Sequence, residues 1–116
     1  MKCIYVAGKL TDAHPIGYLR NLLKIGKMCI RLIFSGYAPF PTGLDLLWFL
    51  MLRANEDISE AQIKGASLAW VEKSDAVLVL NNWRDSSGTK AEIARALECG
   101  ITVYYDIEKL RAEVPA

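Results

Sequence analysis

The sequence has few residues of the kinds that build metal and redox sites. It contains one histidine, His14, which lies in a polar stretch, and three widely spaced cysteines, Cys3, Cys29 and Cys99. No CxxC pair occurs, and an odd number of scattered cysteines is typical of free thiols in a reducing compartment. We therefore expect no metal and no other cofactor, and we assign His14 no metal role.

The sequence also lacks an excess of charge and a long apolar run. Its 14 lysines and arginines nearly balance 13 aspartates and glutamates, for a net charge of +1. Such a balance gives no basic footprint for DNA or RNA. The apolar run Leu44–Leu52 is too short to span a bilayer, and the first residues do not resemble a secretory signal. We expect a cytoplasmic protein that binds neither nucleic acid nor membrane.

What the sequence does contain is enough apolar material for one core. Hydrophobic residues make up 53% of the 116 residues and charged residues 23%. A chain of this length and composition folds around a single hydrophobic core. We therefore expect one domain over residues 1–116.

Apolar runs of strand length alternate with segments of helical spacing. The predicted strands are Lys2–Val6, Tyr37–Phe40, Asp75–Leu80 and Ile101–Tyr105, and the predicted helices are Ile16–Ile33, Leu44–Arg53, Ile58–Lys73, Thr89–Cys99 and Ile107–Glu113. Pro39 indicates that the second strand lies at an edge or ends quickly, and Asp57 is interpreted as a helix cap. The alternation predicts an α/β domain of the flavodoxin-like or Rossmann-like class. We expect a parallel sheet of four or five strands, with helices on both faces and residues 2–6 and 75–80 adjacent at its centre.

The segment after the predicted strand Asp75–Leu80 has the composition of an anion site. Ligands of parallel sheets bind at the carboxyl ends of the strands, and a following helix N-terminus favours negative charge. Four small residues there can hold a phosphate or a sugar hydroxyl: Ser86, Ser87, Gly88 and Thr89. An ordinary helix N-cap is the alternative interpretation of this group.

Glu92 lies one turn beyond Gly88 in the same segment. Helical side chains lean toward the helix N-terminus, so this carboxylate is expected to lean over the ligand loop. The alternative is a solvated acid that the helix dipole favours.

Four further residues are candidates for ligand contacts. Gly8 would let a ligand approach the backbone, or it is a turn glycine. Lys9 would contact a phosphate, or it is solvated. Trp83 would stack on a base, or it is a partly buried loop aromatic. Asn81 follows the best predicted strand and is expected at the same cleft.

Five segments at these loops resemble the nucleoside 2-deoxyribosyltransferase superfamily. They are Tyr5-Val-Ala-Gly8, Gly36-Tyr-Ala-Pro-Phe-Pro41, Ser74-Asp-Ala-Val-Leu-Val-Leu-Asn-Asn-Trp83, Asp85-Ser-Ser-Gly-Thr-Lys-Ala-Glu-Ile93 and Gly100-Ile-Thr-Val103. The resemblance covers nearly the whole chain and is greatest to the small deoxyribosyltransferase-like branch of bacteria and phages. The Gly-Thr-x-x-Glu element is the more specific part of it.

The resemblance implies a nucleoside or nucleotide as ligand and chemistry at its N-glycosidic bond. In that family the glutamate matching Glu92 attacks the anomeric carbon, and transfer to another base or hydrolysis follows. The protein would then be a nucleoside deoxyribosyltransferase or a nucleotide N-glycosidase. The family usually has Gly-Pro where this chain has Gly8-Lys9, and an aspartate where this chain has Ser67. Because serine is a poor acid, a non-catalytic nucleotide-binding or protein-interaction module is the alternative.

The apolar run Leu44–Leu52 is more hydrophobic all round than a surface helix needs. It is expected to cover core on one side and a neighbouring subunit on the other. The resemblance also implies that a neighbouring chain completes the site. We therefore expect a homodimer or a larger homo-oligomer.

Overall fold

The computed structural model, which describes all 116 residues, contains four strands and five α-helices. The elements are β1 Cys3–Ala7, α1 Pro15–Phe34, β2 Ala38–Pro41, α2 Asp45–Met51, α3 Glu60–Glu72, β3 Ala76–Val79, a 3₁₀ turn Trp83–Asp85, α4 Ser87–Glu98, β4 Val103–Tyr104 and α5 Ile107–Glu113. Every predicted element is present, with its ends within two residues of the prediction. None of the helices combines the length and apolar character that a membrane-spanning segment needs.

All four strands run parallel in the order β2-β1-β3-β4. The predicted α/β class is therefore confirmed, as are the central position of β1 and β3 and the edge position of the strand with Pro39. This is the flavodoxin-like strand order, in which ligands bind at the switch point between β1 and β3. The loops that follow these two strands hold most of the predicted site residues.

The sheet is covered by helices on both faces, as the α/β class requires. Alternate residues of the central strands point to opposite sides, so Ile4 and Val6 pack on α1 and α5, and Tyr5 packs on the other side. That second side is covered by Val71 of α3 and Ala96 of α4. Two apolar layers thus hold the sheet, and α4 lies on the layer that contains Tyr5.

Two local expectations are corrected by the structure. The cap of α3 is Ser59, not Asp57: the Ser59 hydroxyl accepts from the Gln62 N–H, and the Gln62 side chain accepts from the Ser59 N–H. This reciprocal pair satisfies two free donors, which a single aspartate two residues earlier cannot do. Helix α2 has no buried residue, so it does not cover core on one side as expected. Its inner side borders a cavity instead.

Candidate active site

Glu92 is a carboxylate almost wholly removed from solvent. It lies on α4 with 5% of its surface exposed, and the fully buried Tyr5 hydroxyl of β1 donates a hydrogen bond to it. The pair joins two elements that are 87 residues apart in the chain. Burial of a carboxylate is unfavourable unless a donor meets it, and Tyr5 is that donor.

Burial raises the pKa of Glu92 from its usual 4.5 to about 7. The Tyr5 hydrogen bond acts in the opposite direction, and the negative charge of Asp45 raises the pKa further. Burial and the adjacent Glu92 charge both raise the pKa of Tyr5, so its hydroxyl stays protonated and remains a donor. Glu92 therefore changes its charge near neutral pH, where a catalytic group is most useful.

A polar cavity of about 280 Å³ lies above Glu92 at the carboxyl ends of β1 and β3. It brings together seven of the nine residues predicted for the site: Gly8, Lys9, Ser86, Ser87, Gly88, Thr89 and Glu92. The remaining lining residues are Leu10, Thr11, Thr42 and Asp85. One wall is therefore the loop after β1, residues 8–14, called here the β1 loop, and the opposite wall is the first turn of α4.

The first turn of α4 presents backbone donors to this cavity. Ser86 is the N-cap, and its hydroxyl oxygen accepts from the Thr89 N–H at 3.2 Å and from the Thr89 hydroxyl at 2.9 Å. The first N–H groups of a helix have no partner within it, so those of Ser87 and Gly88 remain available to an acceptor. A Cβ at Gly88 would meet no atom within 4 Å, which leaves this wall open.

The β1 loop is tied to the loop after β3. The Lys9 N–H donates to the Asn82 side-chain oxygen at 3.1 Å, and the Lys9 ammonium lies 2.7 Å from the Asp85 carboxylate. This ion pair raises the pKa of Lys9 and lowers that of Asp85. A Cβ at Gly8 would lie 3.0 Å from the Leu80 side chain, so glycine allows a close approach there. Lys9 is the single cation that lines the cavity.

A second, mostly apolar cavity of about 220 Å³ adjoins the first. The Phe40 and Trp70 rings in its wall are stacked with centroids 4.5 Å apart, and the Tyr5 ring lies 5.9 Å from Phe40. Its polar lining residues are Tyr5, Thr42, Asp45, Gln62 and Ser67. Thr42 lines both cavities. The Tyr5–Glu92 pair connects them, because Tyr5 lines the apolar cavity and Glu92 the polar one.

Two of the predicted residues do not line either cavity. Asn81 is exposed beyond the end of β3. The Trp83 ring packs against Tyr105, with centroids 5.5 Å apart, and the Arg84 guanidinium lies over the Trp83 ring, 5.3 Å from its centroid. The structure thus places Trp83 as a partly buried loop aromatic, which was the alternative interpretation.

Three residues of the site were not predicted from the sequence. Tyr5 is part of an apolar strand. It lines the apolar cavity because its side chain points to the face of the sheet that α3 and α4 cover. Asn82 rather than Asn81 bridges the two loops. Thr42 follows the edge strand, and its N–H continues the pairing with Val6. Thr42 and Asn82 follow the carboxyl ends of parallel strands, a signal that applies equally to neighbouring residues. Tyr5 lies in the middle of β1 and has no such signal.

Residues 43–105, more than half of the chain, match a family model described as a domain of unknown function, DUF4406. The chain belongs to this family. The match in this DUF4406 protein includes the α2 side of the apolar cavity and all of α4, whereas Tyr5, Gly8 and Lys9 precede it. A search of curated proteins found no match.

A solved structure of a "2-desoxiribosyltransferase from Leishmania mexicana" is similar to the DUF4406 chain. The TM-score is 0.57 at 16% sequence identity, and the similar region covers 89% of this chain and 62% of that one. The chain thus spans less than two thirds of that protein's length. The similarity confirms the deoxyribosyltransferase-like fold that the five sequence segments predicted.

Proposed function

We propose that the protein binds a nucleoside, deoxynucleoside or its monophosphate and breaks the N-glycosidic bond, with Glu92 as nucleophile. The observation that carries this proposal is the position of Glu92. This buried carboxylate accepts a hydrogen bond from Tyr5 and lies where the polar cavity meets the apolar cavity. A nucleotide has the same two parts, a polar sugar phosphate and a flat aromatic base. The fold shared with a protein described as a deoxyribosyltransferase supports the same chemistry.

In this proposal the base occupies the apolar cavity and the sugar the polar one. Aromatic side chains bind bases by stacking, and Phe40 and Trp70 supply the aromatic wall. The N–H groups of Ser87 and Gly88 and the ammonium of Lys9 are donors for a sugar hydroxyl or a phosphate. The anomeric carbon then lies at the junction, beside Glu92.

The bond exchange follows from the charge of Glu92. One carboxylate oxygen bonds to the anomeric carbon as the bond from that carbon to the base nitrogen breaks, and the base leaves with the electron pair. Positive charge develops on the sugar ring in the transition state, and the carboxylate stabilises it. Water or a second base then takes the sugar from Glu92, which completes hydrolysis or transfer.

A non-catalytic nucleotide-binding module is the second candidate. It is favoured by one observation: Ser67 lines the apolar cavity where the family resemblance implies an aspartate. Such a module would keep both cavities and bind a nucleotide without breaking it.

Base release from a panel of nucleosides and their monophosphates, followed by chromatography, tests the proposal. We expect release by the unaltered protein and a loss of at least about 10³-fold in Glu92→Gln, because the amide has no negative charge to stabilise the transition state. Glu98→Gln is the matched control, since Glu98 lies on the same helix at an exposed position.

Release that survives Glu92→Gln unchanged would rule out Glu92 as the nucleophile. Binding of a monophosphate, measured as a rise in melting temperature, without release of any base would support the non-catalytic module instead.

A further inference from the structure

The proposed reaction needs a proton donor for the leaving base. One carboxyl with no assigned role lines the apolar cavity, where the base would lie. Ser67 occupies the wall of that cavity, and a serine hydroxyl is too weak an acid to protonate a base near neutral pH. Four aspartates lie in or close to the site loops: Asp12, Asp45, Asp57 and Asp85. The structure separates them by their partners.

Three of the four are committed elsewhere. Asp12 lines neither cavity, and its carboxylate accepts from a backbone N–H of its own loop at 2.9 Å. The Asp85 carboxylate lines the polar cavity, on the sugar side, and forms an ion pair with the Lys9 ammonium at 2.7 Å. Asp57 lines neither cavity, and its carboxylate accepts from the Ile58 N–H at 2.9 Å on the surface. None of these three carboxyls lines the apolar cavity, where the base would lie.

Asp45 differs from the other three. It is the first residue of α2 and the one carboxyl among the lining residues of the apolar cavity, together with Tyr5 and Ser67. It takes part in no salt bridge, and no lysine or arginine lines this cavity. Its carboxyl is therefore free to exchange a proton with a bound molecule.

The surroundings of Asp45 place it across the junction from the nucleophile. Its negative charge is close enough to Glu92 of α4 and Tyr18 of α1 to raise the pKa of both groups. The other polar groups that share its cavity are Tyr5 of β1, Thr42 of the β2–α2 loop, and Gln62 and Ser67 of α3. Glu92 thus approaches the junction from the sugar side and Asp45 from the base side.

We propose that Asp45 is the general acid that protonates the leaving base, in place of the acid that Ser67 replaces. This assignment rests on the proposed function. The reacting state has Glu92 ionised and a proton on Asp45. As the bond between anomeric carbon and base breaks, that proton moves to the base nitrogen, which receives the electron pair. The resulting Asp45 carboxylate then takes a proton from the water that releases the sugar from Glu92, and both carboxyls return to their starting states.

A comparison of two leaving groups tests the assignment. A natural purine deoxynucleoside monophosphate needs a proton on its base, whereas 4-nitrophenyl 2-deoxyriboside releases an anion that is stable without one. We expect Asp45→Asn to slow purine release by about 10²-fold or more, and to slow nitrophenol release by less than about threefold. The ratio of the two rates in one preparation does not depend on the folded fraction.

Two further variants sharpen the result. Asp57→Asn is the matched control and should leave both rates unchanged, because its carboxyl lines neither cavity. Adding Ser67→Asp to Asp45→Asn should restore part of the purine rate, because it returns a carboxyl to the same cavity.

The outcomes distinguish this assignment from the proposed function. Purine release that is unchanged in Asp45→Asn, or equal losses with both leaving groups, would overturn the assignment while Glu92 chemistry stands. No release of either leaving group by the unaltered protein would overturn the proposed function, and the acid assignment with it.

Discussion

At the scale of single residues, the buried carboxylate of Glu92 destabilises the folded chain whenever it is ionised. Its pKa is about 7 in the folded state against 4.5 in a solvated chain. Between these two values the folded state binds more protons than the unfolded state, so the free energy of unfolding falls as pH rises. The total decrease in the free energy of unfolding is about 3 kcal/mol, and the decrease levels off above pH 7.

This linkage predicts a pH-dependent gain of stability in Glu92→Gln. The amide has no charge to bury, and its oxygen still accepts from Tyr5. We expect the unfolding free energy of the variant, relative to the unaltered chain, to increase by roughly 3 kcal/mol from pH 4 to pH 8. Urea unfolding across this range measures it.

Glu98→Gln, at an exposed position on the same helix, is the matched control for the same measurement. A difference between Glu92→Gln and the unaltered chain that is constant from pH 4 to pH 8 would show that Glu92 is not buried as a titrating carboxyl. A gain of stability by removal of a functional group is typical of active sites, where function and stability conflict.

At the scale of elements, the fold follows closely from local sequence patterns. Strand β3 and helix α1 are predicted within one residue, because each has a strong apolar pattern and clear turn residues at its ends. The position of β2 at the sheet edge follows from Pro39, which lacks a backbone donor.

Helix capping and burial were less predictable at this scale. The cap of α3 required a choice between nearby polar residues, and only the reciprocal Ser59–Gln62 pair decides it. Helix α2 is apolar on every side, so its sequence has no periodic signal to show which side faces the chain. Its assignment to the core was therefore wrong.

The sequence predicted the members of the candidate site that lie close together in the chain. It did not predict the contacts that form only when distant segments meet in the fold. The residues from Ser86 to Glu92 lie in one contiguous segment, so the local sequence predicts the strand, the loop and the helix that position them. The Tyr5–Glu92 contact joins positions 87 residues apart. The central strands are buried on both faces, so alternation does not show which face Tyr5 occupies.

At the scale of the whole molecule, α2 is an apolar element that lies exposed at the surface. Its side chains Trp48, Phe49, Leu50 and Met51 are all exposed, and Leu50 is 76% accessible. Trp48 also lines the apolar cavity, so a molecule that covers α2 would close that cavity. Exposed apolar patches of this kind mark association surfaces.

We predict that the protein is a homodimer or larger, with α2 in the contact. Light scattering at micromolar concentration should give at least twice the mass of one chain. Leu50→Asp should shift the distribution toward the monomer, because Leu50 lies outside both cavities and a buried charge there is unfavourable. A monomer mass for the unaltered protein would contradict this prediction.

The role of Glu92 as nucleophile is tested most directly by the sugar that it should hold. The protein is incubated with a deoxynucleoside monophosphate, quenched in acid and digested, and the peptides are weighed by mass spectrometry. We predict a deoxyribosyl phosphate adduct on the peptide that contains Glu92, with the fragment ions placing it on that residue, and no adduct in Glu92→Gln. Base release accompanied by an adduct on a different residue would contradict the account.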